Sequence, residues 1–516
     1  VRIRRVKTAS GATAVQLVEY RHGQRRIIEH LGSAHSDAEI AVLEHLGRQK
    51  IDAGQQVFDL EGLVEPSVPD VEVKKTASVV DSGASAVGSR PRLLWDVLSG
   101  VYACLGFESV IDSQAFKQLV IGRVLAPGSK TATMAHLRSL DVTEVVSDKT
   151  MWRHLSHHGS AGWREAACRA AYDFAAGAGA LSVVLYDVTT LYFETDEEDD
   201  TRKVGYSKER RVDPQVVVGL LVDKTGFPLD VHCFEGNTAE THTIIPVLDA
   251  FRARHGVENM LVVADAGMLS WANLTALEEA GYQYVVGTRS SKAPYDLAET
   301  FAARGNYFAD GEIIEATTQL KKNVASSKRR AVWQYRHKRE QRDRRNQTLQ
   351  IQRAEDIAAG RKQQRRARFL TGGGPKTLAV DYEAAKRAQY YFGLKGYVTS
   401  ASEETMTGAE VITAYHSLFE VEASFRMAKS DLAARPIFHH TRESIEAHLT
   451  VVFCALAISR HIQARTQMSI KKVLNTLQPL REAVLNIRGE LIAVPAALTP
   501  EAKQILQALD LPTPPH

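Results

Sequence analysis

The chain has 516 residues and a mass of 56.9 kDa, which at roughly 100–200 residues per domain leaves room for about three domains. Its 44% hydrophobic and 24% charged content is close to globular averages and excludes wholesale disorder or a fibrous repeat. The net charge of +3 taken alone argues against a polyanion partner, but residues 321–368 hold 17 Lys or Arg against 4 Asp or Glu, and residues 1–30 hold 7 against 2; such segregation is the footprint of nucleic-acid binding or, equally, of a solvated basic helix.

In chain order, residues 1–32 alternate as a β-hairpin, with turns at Ser10–Gly11 and His22–Gly23. A helix is expected from Ser36, where Ser36 and Glu39 have capping-box spacing, so 1–63 reads as a basic hairpin-and-helix domain. Residues 64–92, rich in Val, Pro, Ser and Gly, read as a linker. Residues 93–178 carry a helical pattern and form a small all-α module. Within it, 129–140 and 147–158 each open on Ser and flank a six-residue turn. They resemble a helix-turn-helix with Lys149 and Arg153 available to phosphates or bases, although any two short capped helices share the pattern. His154, His157 and His158 fit a solvated helix face better than a metal site, because no second ligand cluster is at hand. The stretch Gly122 to Thr131 (GRVLAPGSKT) departs from a phosphate loop: five residues separate its glycines instead of four, and Ser129 intrudes before Lys130.

From Leu181 the period changes. Strands are expected at 182–188, 215–223, 228–236, 260–267 and 282–288, with helices at 240–255 and 271–281. This order predicts an α/β fold with a mixed sheet, in which ligand sites lie at the carboxyl ends of parallel strands. Asp187 and Asp265 end the first and fourth strands. Two carboxylates there would be costly to desolvate and would repel one another, which a shared divalent cation with hard oxygen ligands relieves; each Asp also suits a turn or helix cap. The acidic run 194–200 reads as a solvated loop.

Between 336 and 369 the pattern is that of one long basic helix, with Arg339, Arg342 and Arg345 placed to track a DNA backbone. A last helix is expected over 409–432, where Tyr415, Leu418, Glu422, Arg426 and Lys429 fall on one stripe. An overlapping apolar stripe of Leu418, Val421, Phe425, Ala428 and Leu432 sets Glu422 at the edge of the buried face. Glu422 and Arg426 have the spacing of an ordinary ion pair. Lys429 lies about 10.5 Å along the axis from Glu422, too far to pair and suited to a phosphate. The four cysteines are widely spaced without a CxxC, which suits a reduced cytosol. The longest apolar run, Leu449 to Ser459, has 11 residues where a bilayer span needs about 20. With no secretion signal at the basic N-terminus, a soluble protein is expected.

Four blocks occur together: the Asp187 strand, GLLVDKTGFPLDVHCFEGNTAETHT (219–243), VVADAG with Asp265, and a Y-x2-L-x3-E-x6-K helix. They resemble the DDE transposases of bacterial insertion sequences, within the insertion-sequence-four superfamily. The similarity covers most of the chain, from the basic hairpin to Arg435–Pro436 and SIEAHLTVVFCALAISRHI. One departure is Leu418, where the family often has Arg. The resemblance implies an RNase H-like mixed-sheet core in two parts, 179–289 and 396–470, split by a basic insertion domain at 290–395 and followed by a tail at 471–516. It implies that Asp187, Asp265 and Glu422 are catalytic and bind two Mg²⁺ ions, with Mn²⁺ able to substitute. Tyr415 and Lys429, with Arg426 or a basic residue of the insertion in place of the missing Arg, would contact DNA. The implied partners are double-stranded DNA, as terminal inverted repeats and target, and a second copy in a synaptic homodimer in the bacterial nucleoid, with no membrane. An RNase H-like resolvase without strand transfer, or an inactive DNA-binding relic, would carry the same core; three intact acids weigh against the relic.

Overall fold

The computed structural model describes residues 2–7, 13–21, 24–34 and 84–513, the last stretch with breaks of at most seven residues. The helix expected from Ser36, the linker residues 64–83 and the turns at Ser10–Gly11 and His22–Gly23 lie outside the described residues. The chain divides into two compact units, Val1–Val80 and Asp81–His516. In the first, β1 (Arg2–Lys7), β2 (Thr13–Arg21) and β3 (Gln24–Ala34) form an antiparallel sheet in sequence order, with Val15 and Val18 buried.

The second unit opens with β4 (Ala84–Arg90), then α1 (Arg92–Cys104), α2 (Gln114–Leu125), α3 (Lys130–Ser139), α4 (Asp148–Ser156) and α5 (Trp163–Gly177). Ser113 and Ser129 cap α2 and α3 by accepting from the Phe116 and Ala132 amides, which satisfies donors that a helix start leaves unpaired. α2 and α3 pack closely: a Cβ on Gly122 would come within 2.2 Å of Thr133 Cγ2.

Eight strands form the central sheet. β5 (Val183–Tyr192), β6 (Gln215–Asp223) and β7 (Pro228–Glu235) follow one another antiparallel; α6 (Ile244–His255) leads to β8 (Leu261–Ala264), and α7 (Trp271–Glu279) leads to β9 (Gln283–Gly287). β8 lies parallel to β5 on one side and to β9 on the other, as expected of strands entered through helices. β6 is buried along almost its whole length, which accounts for its near-continuous apolar run.

Beyond β9 the chain departs from the expected domain pattern. Residues 290–395 do not stand apart: β10 (Ile313–Gln319) and β11 (Lys328–Tyr335) join the same sheet, with β12 (Leu394–Thr399) between them and β9. The sheet therefore runs β10-β11-β12-β9-β8-β5-β6-β7. The basic helix α8 (His337–Ala358) is shorter than expected, ending before Gly360, which takes φ +72°, a backbone that suits glycine just past a helix end. It packs on α9 (Tyr382–Gln389), with Gln347 Nε2 donating to the Ala385 carbonyl at 2.6 Å.

The expected helix over 409–432 is broken in three. α10 (Gly408–His416) ends at Ser417, α11 (Phe419–Arg426) restarts beyond Leu418, and Met427–Asp431 widens into a π turn. α12 (Arg442–Thr466) follows; it is long and apolar enough to cross a bilayer, but 89% of its most apolar window is buried, against α2, α5 and β7 among others. Regular elements continue through the described residues beyond 470, and 84–90 form a strand. α13 (Ile470–Leu477) is followed by β13 (Glu482–Ile487), β14 (Glu490–Val494) and α14 (Pro500–Ala508), and β13 pairs with both β14 and β4. Arg90 closes that sheet on Glu482 at 3.0 Å.

A buried polar cluster ties β7 to α6. Asp230 is fully buried, its Oδ2 accepting from Arg254 at 2.6 Å with His232 Nε2 at 3.3 Å, and its Oδ1 accepting from the Val231 amide at 2.8 Å. Burial alone would raise this carboxyl, but His232, Arg254 and Cys168 hold it below the usual carboxylate range. Its folded value is thus below its unfolded one, so its contribution is complete above about pH 4 and is lost as pH falls through the folded value. We expect Arg254→Met to cost about 3–5 kcal/mol by leaving a buried charge unpaired, read from urea unfolding at pH 7; a loss under 1 kcal/mol would contradict the pairing.

Candidate active site

Asp187 lies within β5, not at its end as expected, because pairing with β6 continues from Val184 opposite Asp223 to Tyr192 opposite Gln215. Its neighbour on the other side stops earlier: β8 pairs Val183 with Leu261 through Leu185 with Val263 and ends at Ala264. Carried two residues further, that register sets Asp187 beside Asp265, and residues two apart on a strand share a face. Behind Asp187, on the opposite face, Tyr186 donates to Thr243 Oγ1 at 2.7 Å, which donates to the Glu240 carbonyl at 2.7 Å. Gly219 leaves room for this ring, since a Cβ there would meet its hydroxyl at 2.6 Å.

Asp265 is exposed just past β8, and Tyr415 on α10 donates its hydroxyl to Asp265 Oδ1 at 3.0 Å. The ring of Tyr415 lies over Gly287 at the end of β9, where a Cβ would come within 2.5 Å of the hydroxyl. Burial, then the Asp265 charge and hydrogen bond, then Tyr397 and Glu422, raise the Tyr415 phenol well above its ordinary value. Its hydroxyl therefore feels two of the three expected carboxylates.

Glu422 is itself exposed, not at the edge of the buried face. The expected apolar stripe of Leu418, Val421, Phe425, Ala428 and Leu432 is buried across the break at Ser417–Leu418, while Glu422 and Arg426 turn outward. Those two do not pair with each other. Lys429 falls in the π turn and donates from Nζ to Thr189 Oγ1, two residues beyond Asp187 on the same face of β5. π turns of this kind are frequent at functional sites.

A cationic rim completes the site. Lys395 on β12 stands 5.0 Å from the Tyr415 ring centroid. Burial and then Arg339 lower its ammonium, while Asp265 opposes them, which puts all three in one electrostatic neighbourhood. Arg336 and Arg339, at the start of α8, also bear on Tyr397. The basic helix thus begins beside the carboxylates. Further along it, Arg344 is tied to Glu340 at 2.6 Å and Arg339 to Asp343 at 3.7 Å, whereas Arg342 and Arg345 are exposed and form no ion pair with a described residue.

The donor set of three carboxylates suits a hard divalent cation. Among the described residues no three His, Cys, Asp or Glu side chains are close enough to clasp an ion; Tyr415 is the group that feels both Asp265 and Glu422. A fourth acid, Glu240, brings Oε2 to 3.4 Å from where a Cβ on Gly267 would lie, beside the turn that follows Asp265.

A family model described as the transposase DDE domain matches residues 178–458, more than half of the chain and all three carboxylates. The chain belongs to that family. No curated protein matches this transposase. Among solved structures it is similar to a piggyBac transposase synaptic complex with hairpin DNA, at 11% identity over 82% of this chain and 80% of that one, with a TM-score of 0.36. It is also similar to a Mos1 transposase paired-end complex with the left transposon end, at 12% identity over 48% and 66%, with a TM-score of 0.16. Both likenesses are too slight to add to the family match.

Elsewhere on the transposase, Lys149 and Arg153 are exposed on α4, and Arg138 joins α3 to α4 through Asp148 at 2.7 Å. His154 bonds Ser113 Oγ at 2.8 Å, a packing role within the helical module; His157 and His158 lie outside the described residues. Sequence reading missed Lys395, Tyr397, Gly287 and Glu240. A lysine inside an otherwise apolar strand (LKGYVT) was the available signal for the first. We expect the Tyr415 phenol to resist ionisation beyond the ordinary tyrosine range, and Gly287→Ala, by pushing the ring off Asp265, to lower its pKa. Ultraviolet titration against Tyr415→Phe reads this directly, and no difference between Gly287→Ala and the unaltered protein would refute it.

Proposed function

We propose that this transposase binds the terminal inverted repeats of a mobile element, cleaves the DNA there and joins the freed 3′-ends to target DNA, on an RNase H-like core. One observation carries the reading: Tyr415 donates to Asp265 and feels the charge of Glu422, while Lys395 feels both Asp265 and Arg339. The strand order β7-β6-β5-β8-β9, three antiparallel and then two parallel, supports the core assignment.

Two Mg²⁺ ions, or Mn²⁺ in their place, held by the three carboxylates would activate a water or a 3′-hydroxyl and stabilise the leaving oxygen of an in-line displacement. The chain's own part is to place the DNA. Tyr415 fixes one oxygen of Asp265 and leaves the other to face the reacting centre. Lys429, steadied on Thr189, brings a point charge to the phosphate next to the scissile bond. Lys395 and Arg339 draw the strand toward the acids, Arg426 faces the same solvent, and Arg342 and Arg345 follow the backbone outward along α8. Lys149 and Arg153 offer a second contact surface on the helical module. Two ends must be brought together, which a homodimer provides.

Asp187→Asn, Asp265→Asn and Glu422→Gln should each slow Mg²⁺-dependent cleavage of an end-bearing duplex by roughly 10³-fold or more, about 4 kcal/mol of barrier, with end binding unchanged; full cleavage by any of them removes that residue from the site. Chelation should stop cleavage and Mn²⁺ restore it. Pre-cut 3′-hydroxyl ends with supercoiled target should yield joined products, and cleavage without joining would mark a nuclease instead. Replacing Arg342 and Arg345 with Gln should reduce the slope of log affinity against log salt by about 2; an unchanged slope would make α8 a solvated face.

A further inference from the structure

The GSKT stretch that fails as a phosphate loop nonetheless delivers its lysine to an unusual place. Lys130, at the start of α3, is 5% exposed, and Arg123 on α2 is 4% exposed. They line a cavity of about 410 Å³ together with Trp152, Phe438, His439 and His448, and none of its lining residues is acidic. Among the described residues Arg123 donates only to the Leu432 and Ala433 carbonyls, at 3.5 and 3.4 Å. Lys130 donates to His439 Nε2 and, at 3.1 Å, to His448 Nδ1. His448 Nε2 donates to the Ala434 carbonyl at 3.0 Å, so its Nδ1 is an acceptor and the ring is neutral. An ammonium has three donors, and two are spent on imidazoles.

Two buried cations whose partners are carbonyls and neutral rings are poorly compensated. The strain is visible in both: burial lowers Arg123 to about 10, and burial with the Arg123 charge brings Lys130 down to about 7. An oxyanion between them would restore both. At the cavity mouth Trp152 is 45% and Phe438 65% exposed, which are π-faces of the kind on which bases stack. The cavity also lies on the path of β5. Beyond Asp187 and the Thr189–Lys429 contact, Arg435 sits 5.5 Å from the Tyr192 ring centroid and Phe193 bridges to Ile437. From Asp187 to Tyr192 is about 17 Å of strand, within reach of one DNA strand passing the carboxylates.

We propose that this cavity is a phosphate pocket, taking one phosphate of a DNA strand between Arg123 and Lys130 with the adjacent base against Trp152 or Phe438. That the phosphate belongs to DNA rests on the proposed function; that the pocket takes phosphate does not. The test is calorimetric titration of the full chain with inorganic phosphate and, separately, with hexathymidylate. Both should bind. Trp152→Ala with Phe438→Ala should weaken the oligonucleotide at least fivefold and leave inorganic phosphate unchanged. Lys130→Gln should weaken both at least tenfold. The proposal is overturned if neither ligand binds, or if Lys130→Gln, folded by circular dichroism, binds both as before. Should Lys130→Gln fail to fold, an unchanged oligonucleotide affinity in the exposed aromatic variant overturns it. Binding of inorganic phosphate alone overturns the DNA assignment. Asp265→Asn should titrate like the unaltered chain, so loss of the proposed chemistry and loss of the pocket are read separately.

Discussion

The parallel pairing of β5 with β8 is the contact on which the candidate active site depends. Its register, Val183 to Leu261 through Leu185 to Val263, brings Asp187 and Asp265 level at the point where β8 stops and β5 goes on. Pairing in a sheet allows no half steps, and a slip of one residue would turn one aspartate to the opposite face. The crossover helix α6 and the wholly buried β6 hold that register from both sides. Tyr415 then reaches Asp265 from α10, and Lys429 reaches Thr189 from the π turn.

Charge is handled differently inside and at the site. Asp230 is sealed in the core and answered by Arg254 and His232 at hydrogen-bond or ion-pair distance. Asp265 and Glu422 are left in contact with solvent, with Lys395 and Arg339 near enough to be felt. Carboxylates kept wet remain available to a cation or a polar substrate, whereas Asp230 has no such freedom. The near-neutral total charge conceals this division, and it conceals the excess of cations around Lys130.

What could be read from sequence was local. The strands β5 to β9 and the helices between them lie where period and turn residues put them, and Ser129 caps α3 as its position implied. The two aspartates could be picked out because each follows a run of buried apolar residues. The rest depended on contacts between distant segments. β4 joins β13 across 392 residues at Arg90 and Glu482, and no local pattern encodes a partner so far away. β10 alternates like any edge strand and carries no mark of the sheet it extends. The break at Ser417–Leu418 has neither Gly nor Pro to announce it, although the apolar stripe on both sides of it is buried as its spacing implies. Nothing near Lys130 in the chain marks it for burial, because that burial is supplied by α12, more than 300 residues on.

The sheet that joins β4 to β13 and β14 bears on how the molecule comes to exist. β4, which leads into the helical module from 92 to 177, pairs among the described residues with β13, so that partner is made only once the chain has passed residue 482. Packing of Leu511 against Gly100, where a Cβ would stand 2.6 Å from Leu511 Cδ2, postpones completion further. Closing so long a loop is slow and comes late in folding. A chain truncated before Glu482 would therefore leave the β4 edge unpaired beside the module that carries α3 and α4.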